Sequence, residues 1–181
     1  MSHRLRRPVA LVGLPGAGKS TVGEALARAL GCDFVDFDVR LAASSGRSVA
    51  ELFAMEGESA FRRRELALTE TLLGEPPGIW APGGGWLTAA GVRERIDGHV
   101  GMIHLQVSPG TALARVRTGA TIRPLLSGTD AADVIERLVR ERSAAWAAAD
   151  LVLDTETLDL QQVVDRARGW VLAAVATSDG T

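Results

Sequence analysis

At 181 residues, 46% hydrophobic and 23% charged with a formal net charge of −2, the chain has the make-up of one globular domain. So small a net charge gives no bulk attraction for nucleic acid, and no apolar run approaches the ~18 residues needed to cross a bilayer. A lone cysteine, Cys32 beside Phe34, excludes an intrachain disulfide, reads as a small buried apolar group, and makes a reducing cytoplasm the expected location.

The basic opening, MSHRLRR, runs straight into an apolar segment, so no cleaved leader is expected. PVALVG (8–13) is short, β-branched and apolar, as a buried parallel strand should be. In 19–30, Val22, Ala25, Leu26, Ala29 and Leu30 recur at helical spacing, and Gly31 ends the helix. CDFVDFD (32–38) alternates as a second strand. From 39 to 73 the pattern is helical, broken at SSGRS and near Gly57. GIWAPGGG (78–85) predicts a third strand entering a glycine loop, 100–108 a fourth and 150–155 a fifth. Further helices are expected over 88–97, 109–116, 131–149 and 158–175, followed by a mobile tail, 176–181.

Strands alternating with helices predict a doubly wound, mostly parallel five-stranded sheet flanked by helices, in a single domain over 1–175. Ligands of such sheets sit beyond the carboxyl ends of the strands. Residues 13–21, the pair Asp36 and Asp38, and 83–85 all fall at such ends, so one site is expected there.

Gly13, Gly16, Gly18, Lys19 and Ser20 fit the pattern G-x-x-x-x-G-K-[ST] between a strand and a helix. Successive backbone N–H groups over Gly16, Ala17, Gly18, Lys19, Ser20 and Thr21 can surround a phosphate, aided by the positive end of the helix. Lys19 should reach the β- and γ-phosphates of ATP or GTP, and the Ser20 hydroxyl should coordinate Mg²⁺. The chain has 19 arginines and a single lysine, Lys19. The one ammonium sits where a slim, flexible charge is wanted in place of a planar fork.

Asp36 and Asp38, two apart, are predicted on one face of the second strand. One could bind a metal-coordinated water and the other orient or deprotonate an acceptor hydroxyl; the alternative is that they cap the next helix. Three consecutive arginines, Arg62 to Arg64, cannot all point one way on a helix. One could face inward and hold an anion bidentately, or the run could be a solvated patch paired with Glu58 and Glu65. Gly83, Gly84 and Gly85 offer bare backbone for close approach. GATIRPLLSG (119–128) reads as a flap carrying Arg123 toward the phosphates, and Arg142 lies near the end of a long helix.

In order and spacing, GLPGAGKST, DFD, GRSVAELFAMEGESAFRRRE, GGG, RPLL and Arg142 resemble the shikimate kinase family, over roughly residues 8–155. The resemblance implies a fold like the P-loop nucleoside monophosphate kinases, with a substrate-binding region (36–65) and a lid (117–128). It also implies ATP-dependent phosphorylation of the 3-hydroxyl of shikimate, on the route to chorismate and the aromatic amino acids. By this likeness Asp38 binds the acceptor hydroxyls and is the catalytic base, and Asp36 is the outer-sphere partner of Mg²⁺. Arg62 and Arg142 hold the substrate carboxylate, Glu65 supports Arg62, and Gly84 within its triplet donates a backbone N–H to substrate. Arg123 touches ATP and the phosphoryl group in transit, and Arg117 lies under the adenine. A monomer is expected, with no nucleic-acid or membrane partner.

The chain departs from the family pattern at four places. Trp86 follows the triplet in place of a small residue, and is expected to pack onto the sheet, outside the acceptor pocket. Trp146 stands four residues after Arg142 where a tyrosine is usual. Phe37 is aromatic where a small polar residue is usual, and the flap is one residue short. Two alternatives remain open at this stage: a related kinase for another sugar acid such as gluconate, and a nucleotide-binding paralogue without catalysis. The intact Asp38 and Arg123 speak against the second.

Overall fold

The computed structural model describes residues 4–118 and 130–177. Its elements run β1 (Arg4–Leu5), β2 (Val9–Val12), α1 (Lys19–Leu30), β3 (Phe34–Asp36), α2 (Phe37–Ser45), α3 (Val49–Leu73) and β4 (Ile79–Ala81). A 3₁₀ turn (Trp86–Thr88) precedes α4 (Val92–Ile96), β5 (Gly101–Gln106), α5 (Pro109–Thr118), α6 (Ala131–Trp146), β6 (Leu151–Asp154), α7 (Leu160–Ala174) and β7 (Ala176–Thr177). Five strands form one parallel sheet in the order β3-β4-β2-β5-β6. The strand leading to the glycine loop, β2, is central and buried along its whole length, which is why it reads as unbroken apolar sequence. Its register sets Val12 opposite His104, so the loop after Val12 leaves the sheet beside the last residues of β5.

Local signals set the boundaries around the site. Gly31 closes α1 in the left-handed region. Ser48 and Glu51 form a reciprocal capping box that starts α3. Gly57 interrupts α3 with φ 78 and ψ 170, as the sequence led one to expect, and re-aims the turns that carry Arg62 and Glu65. Pro82, which lacks an N–H, follows the end of β4.

The predicted elements hold with three revisions. The second strand stops at Asp36, because the Asp36 carboxylate accepts from the N–H groups of Asp38 and Val39 and caps α2. Asp38 therefore lies in the first turn of α2, and the two acids do not share a strand face. The helix expected over 88–97 divides into the 3₁₀ turn and α4, with Gly91 at φ 83 between them. Ala176 and Thr177, assigned to a mobile tail, pair antiparallel with β1, and the Arg6 N–H donates to Val175 nearby. The remaining tail residues, 178–181, lie outside the described residues, as do 119–129 with Arg123 and nearly all of the expected lid.

The core beneath the site is aromatic. Phe37, Trp80 and Trp86 are fully or almost fully buried, with Phe37 6.0 Å from Trp80 and 5.9 Å from Trp86 between ring centroids. Cys32 is half-buried, and burial together with Asp33 raises its thiol pKa, consistent with an inert packing role. Among the described residues no helix is long and apolar enough to cross a membrane.

Candidate active site

The glycine loop wraps the start of α1. Gly16 has φ 85, and a Cβ there would collide with the carbonyl oxygen of Ala112 on α5, so only glycine fits. Lys19 is buried, and its Nζ donates to the carbonyl oxygens of Gly13 and Leu14, each at 3.0 Å, which puts the ammonium inside the curl of the loop. Ala17 is buried beneath the loop, while Ser20 and Thr21 face solvent at its mouth. Ser20 Oγ donates to Asp36 Oδ2 at 2.6 Å. Asp36 thus does two things at once: one oxygen caps α2 and the other meets the loop hydroxyl. The cap on the next helix is one of the two sequence readings of this residue, and it holds.

The acceptor side is assembled over the glycine triplet, and the structure shows why the triplet must be bare. A Cβ at Gly83 would lie 2.6 Å from Glu65 Oε1 and 3.7 Å from Asp38 Oδ1. At Gly84 it would lie 2.9 Å from Arg142 Nη1, and at Gly85 it would fall on the Arg62 guanidinium. Three consecutive positions thus each yield their side-chain space to a different charged group, and Cα atoms of neighbouring residues are ~3.8 Å apart. Arg62 and Arg142, 80 positions apart in the chain, therefore meet over one small shelf. The shelf abuts the loop: a Cβ at Gly84 would come within 3.8 Å of Pro15 and 3.9 Å of the Gly13 carbonyl oxygen.

Electrostatics over the shelf are tense. Arg62 Nη1 donates to Glu65 Oε2 at 2.6 Å and its Nη2 to Glu58 Oε1 at 3.0 Å, while its guanidinium lies 5.9 Å from the Phe53 ring and 5.8 Å from the Phe61 ring. Arg64 turns the other way, onto Glu56, and Arg63 is exposed. Glu65 is fully buried, and its Oε1 has no hydrogen-bond partner among the described residues. Burial raises the Glu65 pKa above the ordinary range; Arg62 opposes the shift without cancelling it, and Asp38 adds to it. Arg142 is lowered, first by burial and then by the like charge of Arg62. It forms no ion pair with another described residue. Two converging guanidiniums, one of them short of counter-charge, are suited to hold an anion.

Two departures from the family pattern find their places here. Trp86 is fully buried against Phe37, inward of the shelf and not in its opening, so it does not narrow the pocket. Trp146 stacks on His104, with centroids 5.3 Å apart at 26°, and anchors α6 one turn beyond Arg142. Burial, then Lys19, lowers the His104 pKa, which favours the neutral ring.

Arg117 is exposed on α5. Sequence reasoning missed its neighbour Arg115, which donates to the Thr155 carbonyl at 2.6 Å, to Thr155 Oγ1 at 3.1 Å and to the Gly16 carbonyl at 3.5 Å. Glu156 accepts from the N–H and hydroxyl of Ser108 and from Thr111. The segment 154–159 is thereby tied to both α5 and the loop. Nothing in the spacing sets Arg115 apart from Arg117; only the packing of α5 on the loop does.

A phosphate-binding loop that touches an anion-binding shelf, at the carboxyl edge of a parallel sheet, defines a P-loop kinase of small molecules. The family model described as shikimate kinase matches residues 15–171, and the chain belongs to the shikimate kinase family. A shikimate kinase of Mycobacterium avium is 43% identical over 146 residues, covering 80% of this chain and 82% of that protein. The structure of a shikimate kinase from Acinetobacter baumannii in complex with shikimate superimposes with a TM-score of 0.84 at 28% identity, covering 93% of this chain and 94% of that one. A gluconokinase from Sinorhizobium meliloti shares the fold alone, with a TM-score of 0.62 at 17% identity over 94% of each chain.

Proposed function

We propose that the protein transfers the γ-phosphoryl group of ATP to the 3-hydroxyl of shikimate. The observation that carries this reading is the convergence of Arg62, Glu65 and Arg142 on the glycine shelf, beside Asp38 and against the phosphate loop. A carboxylated polyol supplies what the shelf lacks: a carboxylate between the two guanidiniums and hydroxyls for the carboxylates at its inner edge. Family membership and the shikimate complex of the Acinetobacter relative support the same acceptor.

On this reading Arg62 and Arg142 fix the carboxylate, and Glu65 holds Arg62 while offering Oε1 to the substrate. Gly83, Gly84 and Gly85 give backbone contact beneath the ring. Asp38 orients the 3-hydroxyl and accepts its proton as the new P–O bond forms and the bond from the γ-phosphorus to ADP breaks. The N–H groups of 16–21 and Lys19 hold the phosphates and the charge that builds on them. Arg117 lies under the adenine, and Arg123, outside the described residues, completes the neutralisation from the lid.

Among the described residues no cluster of His, Cys, Asp or Glu could hold a metal by itself. The Ser20 hydroxyl and the Asp36 carboxylate are hard oxygen donors in contact, a set suited to Mg²⁺ shared with phosphate and water. Ser20 would ligate the ion and Asp36 would hold one of its waters; when bound, Mg²⁺ supplies charge neutralisation at the β- and γ-phosphates. On this reading the site is complete without residues of a second copy, so a monomer suffices, and its use of ATP suits the cytoplasm.

ADP release measured with shikimate, with gluconate and without acceptor tests the assignment. Turnover with shikimate is expected; turnover with gluconate in its place would refute it. Asp38→Asn should lower kcat by about 10²–10⁴-fold, the usual range for a general base, while ATP affinity stays near that of the parent. Undiminished turnover would remove Asp38 from its role.

A further inference from the structure

Three buried contacts beneath the shelf, two polar and one aromatic, take no part in the chemistry above. The Trp86 indole N–H donates to Thr69 Oγ1 at 2.8 Å, and the Thr69 hydroxyl donates to the Glu65 carbonyl oxygen at 2.8 Å. Trp86, Thr69 and Glu65 are all fully buried. Because Thr69 accepts from the indole, its own hydrogen is directed onto Glu65, giving one oriented chain in a low-dielectric interior. Thr69 lies one turn after Glu65 on α3, and Trp86 directly follows Gly85. The third contact is aromatic: Phe37 and Trp86 meet in a T-shaped pair, their planes at 74°. Phe37 sits between Asp36 and Asp38.

We propose that Trp86 is a positioning residue of the acceptor site, locking the glycine shelf to the turn of α3 that bears Arg62 and Glu65 and to the start of α2 that bears Asp38. The shelf demands such a lock. Side-chain atoms of Glu65, Arg142 and Arg62 occupy the spaces that Cβ atoms would fill at 83–85. A slide of α3 along the shelf would push the guanidinium into backbone or draw it off the substrate. The indole is suited to prevent this because its ring is wedged in the core while its one donor reaches a single hydroxyl. Being fully buried, it acts through Arg62, Glu65 and Asp38 without touching the substrate.

The proposal rests on shikimate as the acceptor and is tested by steady-state kinetics of the full chain with both substrates varied. Thr69→Val removes the hydroxyl at constant shape and strands the indole N–H; Thr69→Ser keeps the chain; Trp86→Phe keeps a ring and deletes the donor. The KM for shikimate should rise roughly 10-fold in Thr69→Val and Trp86→Phe, below the ~10²-fold that a 1 Å misplacement can cost. The KM for ATP should change less than about two-fold, and Thr69→Ser should restore the shikimate KM. A merely structural role predicts lower Tm with both KM values moving together, or with neither moving; either pattern overturns the proposal. If Thr69→Val does not fold, Trp86→Phe decides it. Parent protein that turns over no shikimate refutes the acceptor assignment itself, a result read before any variant is made, and this proposal falls with it.

Discussion

The two halves of this site bind anions by opposite means. The phosphate loop is backbone: a contiguous stretch curled round one buried ammonium, which its own carbonyl oxygens hold. The acceptor shelf is side chain: guanidiniums from α3 and α6 and carboxylates from α2 and α3, gathered over three residues that contribute no side chain at all. Glycine serves both, for different reasons. In the loop it supplies conformation, as at Gly16; on the shelf it supplies space. The loop works wherever a strand feeds a helix, whereas the shelf works only if several elements pack to within a fraction of an ångström. Substitutions in the loop should therefore act on the nucleotide and the chemical step, and those in the shelf on the acceptor.

Of the substitutions that set loop against shelf, the largest effect is expected from Lys19→Arg, which tests the loop with charge conserved. A planar guanidinium cannot donate to the Gly13 and Leu14 carbonyls from the same curl and still reach the phosphates. By analogy with the loss of one preorganised donor, kcat should fall about 10²–10³-fold, with the shikimate KM little changed. In a chain with 19 arginines, a fully active Lys19→Arg would mean that the lone lysine carries no functional weight.

Gly85→Ala is the counterpart on the shelf. Its Cβ would strike the Arg62 guanidinium, which is pinned by Glu65 and Glu58. The kcat/KM for shikimate should fall on the order of 10²-fold, as for a 1 Å misplacement, while ATP binding is spared. Equal losses for both substrates would erase the distinction between the two halves.

How much of each half could be read from sequence follows the same division. The loop is local, so its motif and the strand and helix around it were legible together, down to Lys19 and Ser20. Sheet class, the helix breaks at Gly46 and Gly57, and the rule that three adjacent arginines cannot all point one way were legible as well. What local pattern could not reveal was which groups lean over 83–85, because that depends on packing between α2, α3 and α6. Asp38 was placed on a strand, since DFVDFD alternates; the Asp36 cap, a local hydrogen bond that the sequence offered only as an alternative, starts the helix earlier. Thr69 and Arg115 carried no signal of their own. Trp86 did, as an oddity after the triplet, but only the structure shows that its ring points into the core.

The smallest predicted effect concerns stability and sharpens the contrast in electrostatic tension. Glu65 has its pKa raised from 4.5, chiefly by burial, so the fold favours its neutral form. A raised carboxyl contributes stability that is present in full below the unfolded value and is lost as pH climbs through the folded one. Glu65→Gln, which does not titrate, should therefore gain in Tm on the parent as pH rises from 4.5 toward neutrality, and the gap should close again in acid. The gain should come with a weaker clamp, because Arg62 loses its closest counter-charge, the carboxylate 2.6 Å away. The shikimate KM should then rise at neutral pH. Thermal melts of both proteins across pH 4–8, run beside the kinetics, read both sides of the exchange. A parent protein that gains on Glu65→Gln as pH rises would show that Arg62 outweighs burial. The shelf would then be relaxed, held by the same kind of well-compensated charge as the loop.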